Sequence, residues 1–297
     1  MTLKLAIVGY GNLGKSLEKE IAKCNDLELT AIYSRRSLDN EKYRPLKQIN
    51  EDGDFDVALL ALGSYNDITE YAPLFEKLDT VDSFDTHAKI EEYKRQLNQT
   101  KKDSLAIIST GWDPGLLSLA RGVFSVGADR CVTLWGEGVS QGHSNAIRSI
   151  RGVIDAVQFT KPKNDALELI RQDVTDGTKL HDRICYVACV DEDKDTVKKQ
   201  IVEMPNYFKD YDTTVVFCAP QEVRELRQRT AHRGQVICHG EGFVATTDVQ
   251  LDCNTEYTAK IMLCYAKAIP QLKKNGYYGA VDVYDIPMRY LADKKLI

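Results

Sequence analysis

The stretch Leu3-Lys-Leu-Ala-Ile-Val-Gly-Tyr-Gly-Asn-Leu-Gly14, "LKLAIVGYGNLG", decides the fold. An apolar run of strand length passes directly into Gly9-Tyr10-Gly11-Asn12-Leu13-Gly14, and "LGKSLEKEIAKC" continues it with helical periodicity. Glycine suits the three positions for separate reasons: a tight turn at Gly9, close backbone approach to a pyrophosphate at Gly11, and close helix–strand packing at Gly14. The unpaired N–H groups and positive dipole end of the following helix then face the phosphates. A G-x-G-x-x-G alone is a weak signal. Its place between a strand and a helix makes it a dinucleotide cradle.

Outward from this point, apolar runs alternate with helical ones: "LELTAIYS", "FDVALLAL", "DITEYAPLFEKL", "TVDSF", "AKIEEYKRQLNQ" and "SLAIIST". That alternation predicts βαβ units and a doubly wound, Rossmann-type parallel sheet, an α/β fold. After "STGWDPG" the pattern changes to strands in close succession, "RCVTLWGEGVS", "DRICYVACV", "TTVVFCAP", "GQVICHGEG" and "FVATTDVQLD". These predict a second, α+β domain on a mixed or antiparallel sheet. The expected division is residues 1–113 for the nucleotide-binding domain and 114–253 for the domain of substrate binding and dimerisation. The helical segment "NTEYTAKIMLCYAKAIPQLKKNG" is expected to end at Gly276, and residues 254–297 to pack back on the first domain.

Composition narrows the function. Of 297 residues, 39 are basic and 44 acidic, a net charge of −5 that gives no footprint for nucleic acid or an anionic membrane surface. No segment approaches twenty apolar residues and the start lacks a signal-peptide pattern, so a cytoplasmic protein is expected. Eight cysteines stand scattered without a C-x-x-C pair, which predicts unpaired core thiols and no metal site.

The end of the second strand carries the cofactor preference. An acid there, about twenty residues past the glycines, would hydrogen-bond the ribose hydroxyls of NAD. Here the chain has Ser34, Arg35 and Arg36. Guanidinium groups suit a 2′-phosphate through a charged, bidentate fork, so NADP is the expected cofactor.

Together "AIVGYGNLGKSLEK", "SRRS", "TVDSFDTH", "STGWDPG", "WGEGVSQGHS" and "MPNYF" resemble the meso-diaminopimelate D-dehydrogenase family, in order and spacing from near residue 3 to about residue 290. The resemblance implies a homodimer that oxidatively deaminates meso-2,6-diaminopimelate at its D-centre, giving L-2-amino-6-oxopimelate, ammonia and NADPH. It also implies that Leu62, Gly63, Ser64, Ser83 and Phe84 border the cofactor, beside Gly9 to Gly14 and Ser34 to Arg36. Asp85 and Asp113 match residues near the D-centre amine, and both are expected to be catalytic. Gln141 and Gly142 match the D-centre carboxylate site. Thr160, Arg183, His232 and Asn254 match the residues that recognise the L-centre, and Trp112 and Trp135 are expected to wall the aliphatic chain. Asp113 before Pro114 has a second reading, as the cap of the helix "PGLLSLARG" with proline in the first helical position. The chain departs from the family in several loop deletions and an early ending at "MRYLADKKLI". Two other functions fit a nucleotide-binding chain: an imine reductase resembling dihydrodipicolinate reductase, and an NADP-sensing protein without catalysis.

Overall fold

The computed structural model describes residues 2–51, 53–64, 67–229 and 231–292. The chain forms two compact units, Met1–Leu119 with Thr255–Ile297, and Ala120–Asn254. Strands β1 (Leu3–Val8), β2 (Leu27–Ser34), β3 (Tyr43–Pro45), β4 (Val57–Leu60), β5 (Thr80–Asp82) and β6 (Leu105–Ile107) belong to the first unit. The second unit holds β7 (Arg130–Trp135), β8 (Gly138–Val139), β9 (Val153–Pro162), β10 (His181–Cys189), β11 (Asp212–Phe217), β12 (His232–Gly240) and β13 (Phe243–Leu251). The chain then re-enters the first unit through the helix Asn254–Lys274 and adds β14 (Gly279–Val281).

In the first unit the sheet order is β14-β6-β5-β4-β1-β2-β3, with every pairing parallel. Both faces are buried because successive side chains of a strand point opposite ways. Leu5 and Ile7 lie in one core with Leu17 and Ile21 of the helix Asn12–Ile21 and with Met262, Ala266 and Ile269 of the helix Asn254–Lys274. Ala6 and Val8 lie in the opposite core with Tyr93 and Leu97 of the helix Ile90–Thr100. The chain winds outward through β2 and β3, then returns to β4 on the other side of β1. That reversal opens a crevice beyond the carboxyl ends of β1 and β4, where open α/β sheets hold ligands.

The second unit has a four-stranded sheet, β11-β10-β9-β8, and a three-stranded antiparallel sheet, β13-β12-β7. Only the β10–β11 pairing of the former is parallel. Several expectations change in detail. "RCVTLWGEGVS" is two strands in different sheets, divided at Gly136, whose φ of +116° suits glycine. A side chain at Gly136 would also run into the Thr160 carbonyl. The helix expected in "DITEYAPLFEKL" is a single turn, Asp67–Glu70, followed by a 3₁₀ turn at Ala72–Phe75. Pro73 lacks an N–H and biases its predecessor away from α geometry. β9 went unpredicted, because Asp155, Gln158 and Thr160 interrupt its apolar run, yet Gln158 and Thr160 are buried.

The cysteine expectation is corrected at one pair. Cys131 and Cys238 face each other across β7 and β12 and are joined as a disulfide, while Cys24, Cys185, Cys189, Cys218, Cys253 and Cys264 are free. Sequence spacing cannot reveal such a pair, since 107 residues separate its members and only the strand register aligns them. Among the described residues no helix is long and apolar enough to cross a membrane.

Candidate active site

A cleft of about 370 Å³ opens in the first unit at the ends of β1, β2 and β4, lined among others by Gly9, Tyr10, Gly11, Ser34, Arg35 and Arg36. Leu62 and Gly63 close its other side. Gly9 has φ of +94°, and a Cβ there would lie 2.5 Å from the Ala61 carbonyl oxygen. At Gly14 a Cβ would overlap the Gly9 carbonyl, whereas at Gly11 it would meet nothing within 4 Å. Two glycines thus let the turn close on the sheet, and the third leaves open backbone facing the cleft. No side chain caps the helix that starts at Asn12, and no acid stands in its first turn. Its N–H groups and dipole therefore stay available to an anion. These residues fit a dinucleotide phosphate.

Ser34 is buried at the end of β2 and accepts a hydrogen bond from the Arg36 N–H at 3.2 Å. Arg35 and Arg36 are exposed, and the Arg35 guanidinium lies 5.5 Å from the centre of the Tyr71 ring. No sequence pattern marked Tyr71 as a neighbour of Arg35; a cation–π contact between residues 36 apart depends on tertiary packing. Asn12 and Leu13 form the first turn of the helix behind the glycines.

Two loops of the same unit carry the expected acids. Ser83, Phe84 and Asp85 follow β5; Phe84 is buried against Tyr93, with ring centroids 4.5 Å apart, and Asp85 is exposed. The Asp85 N–H donates to the Ser64 hydroxyl at 3.1 Å, which ties the loop after β5 to the loop after β4. Trp112 is buried and Asp113 half-buried in the loop after β6. The Ser118 hydroxyl donates to the Asp113 carboxylate at 3.2 Å. The helix begins at Leu116, so Pro114 does not occupy its first position as the capping reading required.

In the second unit the strand register assembles a row. Arg183 of β10 faces Thr160 of β9, and Thr160 faces Gly138 of β8. The His232 ring lies over Gly138, its Nε2 2.7 Å from the Val139 carbonyl oxygen. Arg183 donates to the Thr160 hydroxyl, and its guanidinium stacks 4.1 Å from the centre of the Tyr211 ring. The Arg183 Nε is buried without a partner, as is the Gln158 Oε1. Among the described residues no carboxylate pairs with Arg183, and burial holds its pKa below the ordinary arginine value. A buried cation in this state calls for an anion. Gln158 and Tyr211 were missed, since nothing in their local sequence separates them from core residues.

Gln141 and Gly142 open the helix Gln141–Arg148, which is capped by Ser140. His143, one turn in, shares a hydrogen bond of 2.5 Å with the Ser140 hydroxyl and packs edge-on against Tyr207 and Phe208. This contact brings "SQGHS" and "MPNYF" together in the fold. Burial pushes the His143 pKa down to about 3, so its ring stays neutral. Trp135 ends β7 and rests beside the buried His181, whose Nε2 accepts from the Trp135 N–H at 2.9 Å. Asn254 is the first residue of the helix Asn254–Lys274 and stands outside the strand row.

The fold and the nucleotide cleft define a Rossmann-type, dinucleotide-dependent oxidoreductase. Comparison with known proteins narrows the class: the chain belongs to the meso-diaminopimelate D-dehydrogenase family. Residues 111–258 match the family described as "Diaminopimelic acid dehydrogenase C-terminal domain". The meso-diaminopimelate D-dehydrogenase of Acetivibrio thermocellus is 39% identical, over 98% of this chain and 95% of that protein. That of Corynebacterium glutamicum is 37% identical, over 99% and 97%. The solved C. glutamicum DAP dehydrogenase in complex with DAP superposes with a TM-score of 0.92 at 36% identity, covering 100% of this chain and 98% of that one. An engineered D-amino acid dehydrogenase bound to NADP+ matches with a TM-score of 0.89 at 35% identity, with coverage of 100% and 98%.

Proposed function

We propose that this protein catalyses the NADP-dependent, reversible oxidative deamination of meso-2,6-diaminopimelate at its D-centre, releasing L-2-amino-6-oxopimelate and ammonia. The observation that carries this reading is the buried Arg183, whose guanidinium lacks a carboxylate among the described residues and keeps an unpartnered Nε. It suits the carboxylate of an amino acid. The row of Thr160, Gln158 and His232 beside it adds hydroxyl, amide and imidazole groups for an amino-acid centre. Near-full-length identity to family members supports the same reaction.

In this mechanism Gly9 to Gly14 hold the pyrophosphate, and Ser34, Arg35 and Arg36 hold the 2′-phosphate of NADP. Leu62, Gly63, Ser64, Ser83 and Phe84 border its nicotinamide end. When bound, NADP+ would supply the hydride acceptor for oxidation at the D-carbon. Asp85 and Asp113 accept hydrogen bonds from the D-centre amine, and one takes its proton so that the nitrogen lone pair can assist loss of hydride. They then orient the water that hydrolyses the imine to ketone and ammonia. The N–H groups of Gln141 and Gly142 bind the D-centre carboxylate, and Trp112 and Trp135 cover the aliphatic chain. Arg183, Thr160, His232 and Asn254 select the L-centre, so that only the meso isomer presents its D-carbon for oxidation.

The reading includes a homodimer, as the resemblance implies; light scattering that gives the mass of one chain would refute the dimer. Purified protein mixed with NADP+ and meso-diaminopimelate at alkaline pH should produce the absorbance of NADPH, with LL-diaminopimelate inert. Absence of reduced cofactor with the meso isomer would overturn the assignment.

A further inference from the structure

One buried carboxylate has no part in the mechanism above. Asp82, the last residue of β5, is 1% exposed. Its Oδ1 accepts two backbone N–H groups, from Phe84 at 2.9 Å and Ser109 at 3.0 Å. Its Oδ2 accepts the Tyr93 hydroxyl at 3.0 Å, and its carbonyl oxygen accepts from both the N–H of Thr110, at 2.9 Å, and the Thr110 hydroxyl, at 2.8 Å. The first N–H lies in the loop that presents Asp85, and the others lie in the loop that leads to Asp113. Ser109 has φ of +58°, a left-handed conformation that costs a non-glycine residue of order 1 kcal/mol and needs its surroundings to hold it. A conformation held at that cost, beside an oxygen that takes N–H groups from two loops at once, is a device for fixing where those loops leave the sheet.

We propose that Asp82 is a positioning residue: by accepting from both loops with one oxygen it sets the separation and orientation of Asp85 and Asp113. The inference rests on the reading that these two acids serve the D-centre. Four neighbours bear on the charge of Asp82: Phe84, Ser109, Tyr93 and Lys101. Burial pushes its pKa up to about 6, while the two N–H groups and Tyr93 oppose that rise. Lys101 adds a weaker opposing effect. The side-chain oxygens of Asp82 are taken up by Phe84, Ser109 and Tyr93, so it is an acceptor held in place.

Asparagine preserves the carbonyl oxygen and the side-chain length; glutamate preserves the charge and displaces the oxygen by a methylene; alanine removes the acceptor. If position matters, Asp82→Asn retains kcat within about threefold, Asp82→Glu loses more than Asp82→Asn, and Asp82→Ala loses thirtyfold or more, while the NADP+ dissociation constant stays within twofold throughout. Amide hydrogen exchange reads the cause directly: in Asp82→Ala protection falls at residues 83–85 and 109–113, with β1 and β2 still protected. Where Asp82→Ala does not fold, the order of the Asn and Glu variants decides. A higher kcat for Asp82→Glu than for Asp82→Asn, or wild-type kcat in Asp82→Ala, overturns the proposal. If wild-type protein fails to oxidise meso-diaminopimelate, the functional reading falls, and the exchange pattern still judges the role of Asp82.

Discussion

Replacing Arg183 with methionine should move affinity and stability in opposite directions. Arg183 is 8% exposed; its guanidinium donates to Thr160, stacks on Tyr211, and is opposed by no carboxylate among the described residues. A substrate carboxylate taking two charge-assisted hydrogen bonds from it gains about 1.5 kcal/mol for each, so about 3 kcal/mol in all, roughly a hundredfold in KM. Methionine keeps an unbranched chain against Tyr211 and removes a charge whose desolvation costs several kcal/mol. Arg183→Met should therefore raise the KM for meso-diaminopimelate about a hundredfold and leave NADP+ affinity unchanged, with a melting temperature equal to or above that of the wild type. Steady-state kinetics, cofactor titration and calorimetry on one preparation test all three. A KM within threefold of wild type refutes the carboxylate role. A raised KM accompanied by a large fall in melting temperature would instead make Arg183 a structural residue.

Other expectations follow from the same geometry. Arg35→Ala should raise the KM for NADP+ about tenfold or more while changing that for NAD+ little, because only the former carries a 2′-phosphate for the fork; equal changes in both would dismiss the assignment. Asp113→Asn should lower kcat by orders of magnitude with cofactor binding intact, as stopped-flow and titration would show. The raised pKa of Asp82 also has a thermodynamic consequence. Between the ordinary carboxylate range near pH 4 and about 6, the folded state binds a proton that the unfolded chain has released, so this group's contribution to stability declines as pH rises through that window. The melting temperature of Asp82→Asn relative to wild type should therefore be higher at pH 8 than at pH 4.5, and a difference independent of pH would contradict the burial of an ionised Asp82.

Chemistry that depends on neighbours in the chain was legible without coordinates. The glycine turn at Gly9 to Gly14, the strand and helix that flank it, and the arginines where an acid would serve NAD all lie within a single βαβ unit. Backbone constraint and side-chain charge act there at short range. The change from alternating helices to successive strands after residue 113 is equally local. Asp85, Asp113, Arg183 and His232 came from resemblance to a family, because a polar residue in a loop or strand carries no local mark of its role.

What tertiary structure decided concerns pairs distant in the chain. The opposition of Cys131 and Cys238, the row from Arg183 through Thr160 to His232, and the stacking of Arg35 near Tyr71 are matters of register and packing. β9 shows the limit from the other side, since its buried Gln158 and Thr160 look like surface residues until the strands on both sides supply partners. Asp82 is the strongest case. Its type and place in "TVDSFD" reveal an acid at a strand end, but only the return of the chain through Ser109 brings a second loop to the same oxygen. A strand's local pattern fixes which way its side chains point; what each one meets there depends on which segment arrives alongside.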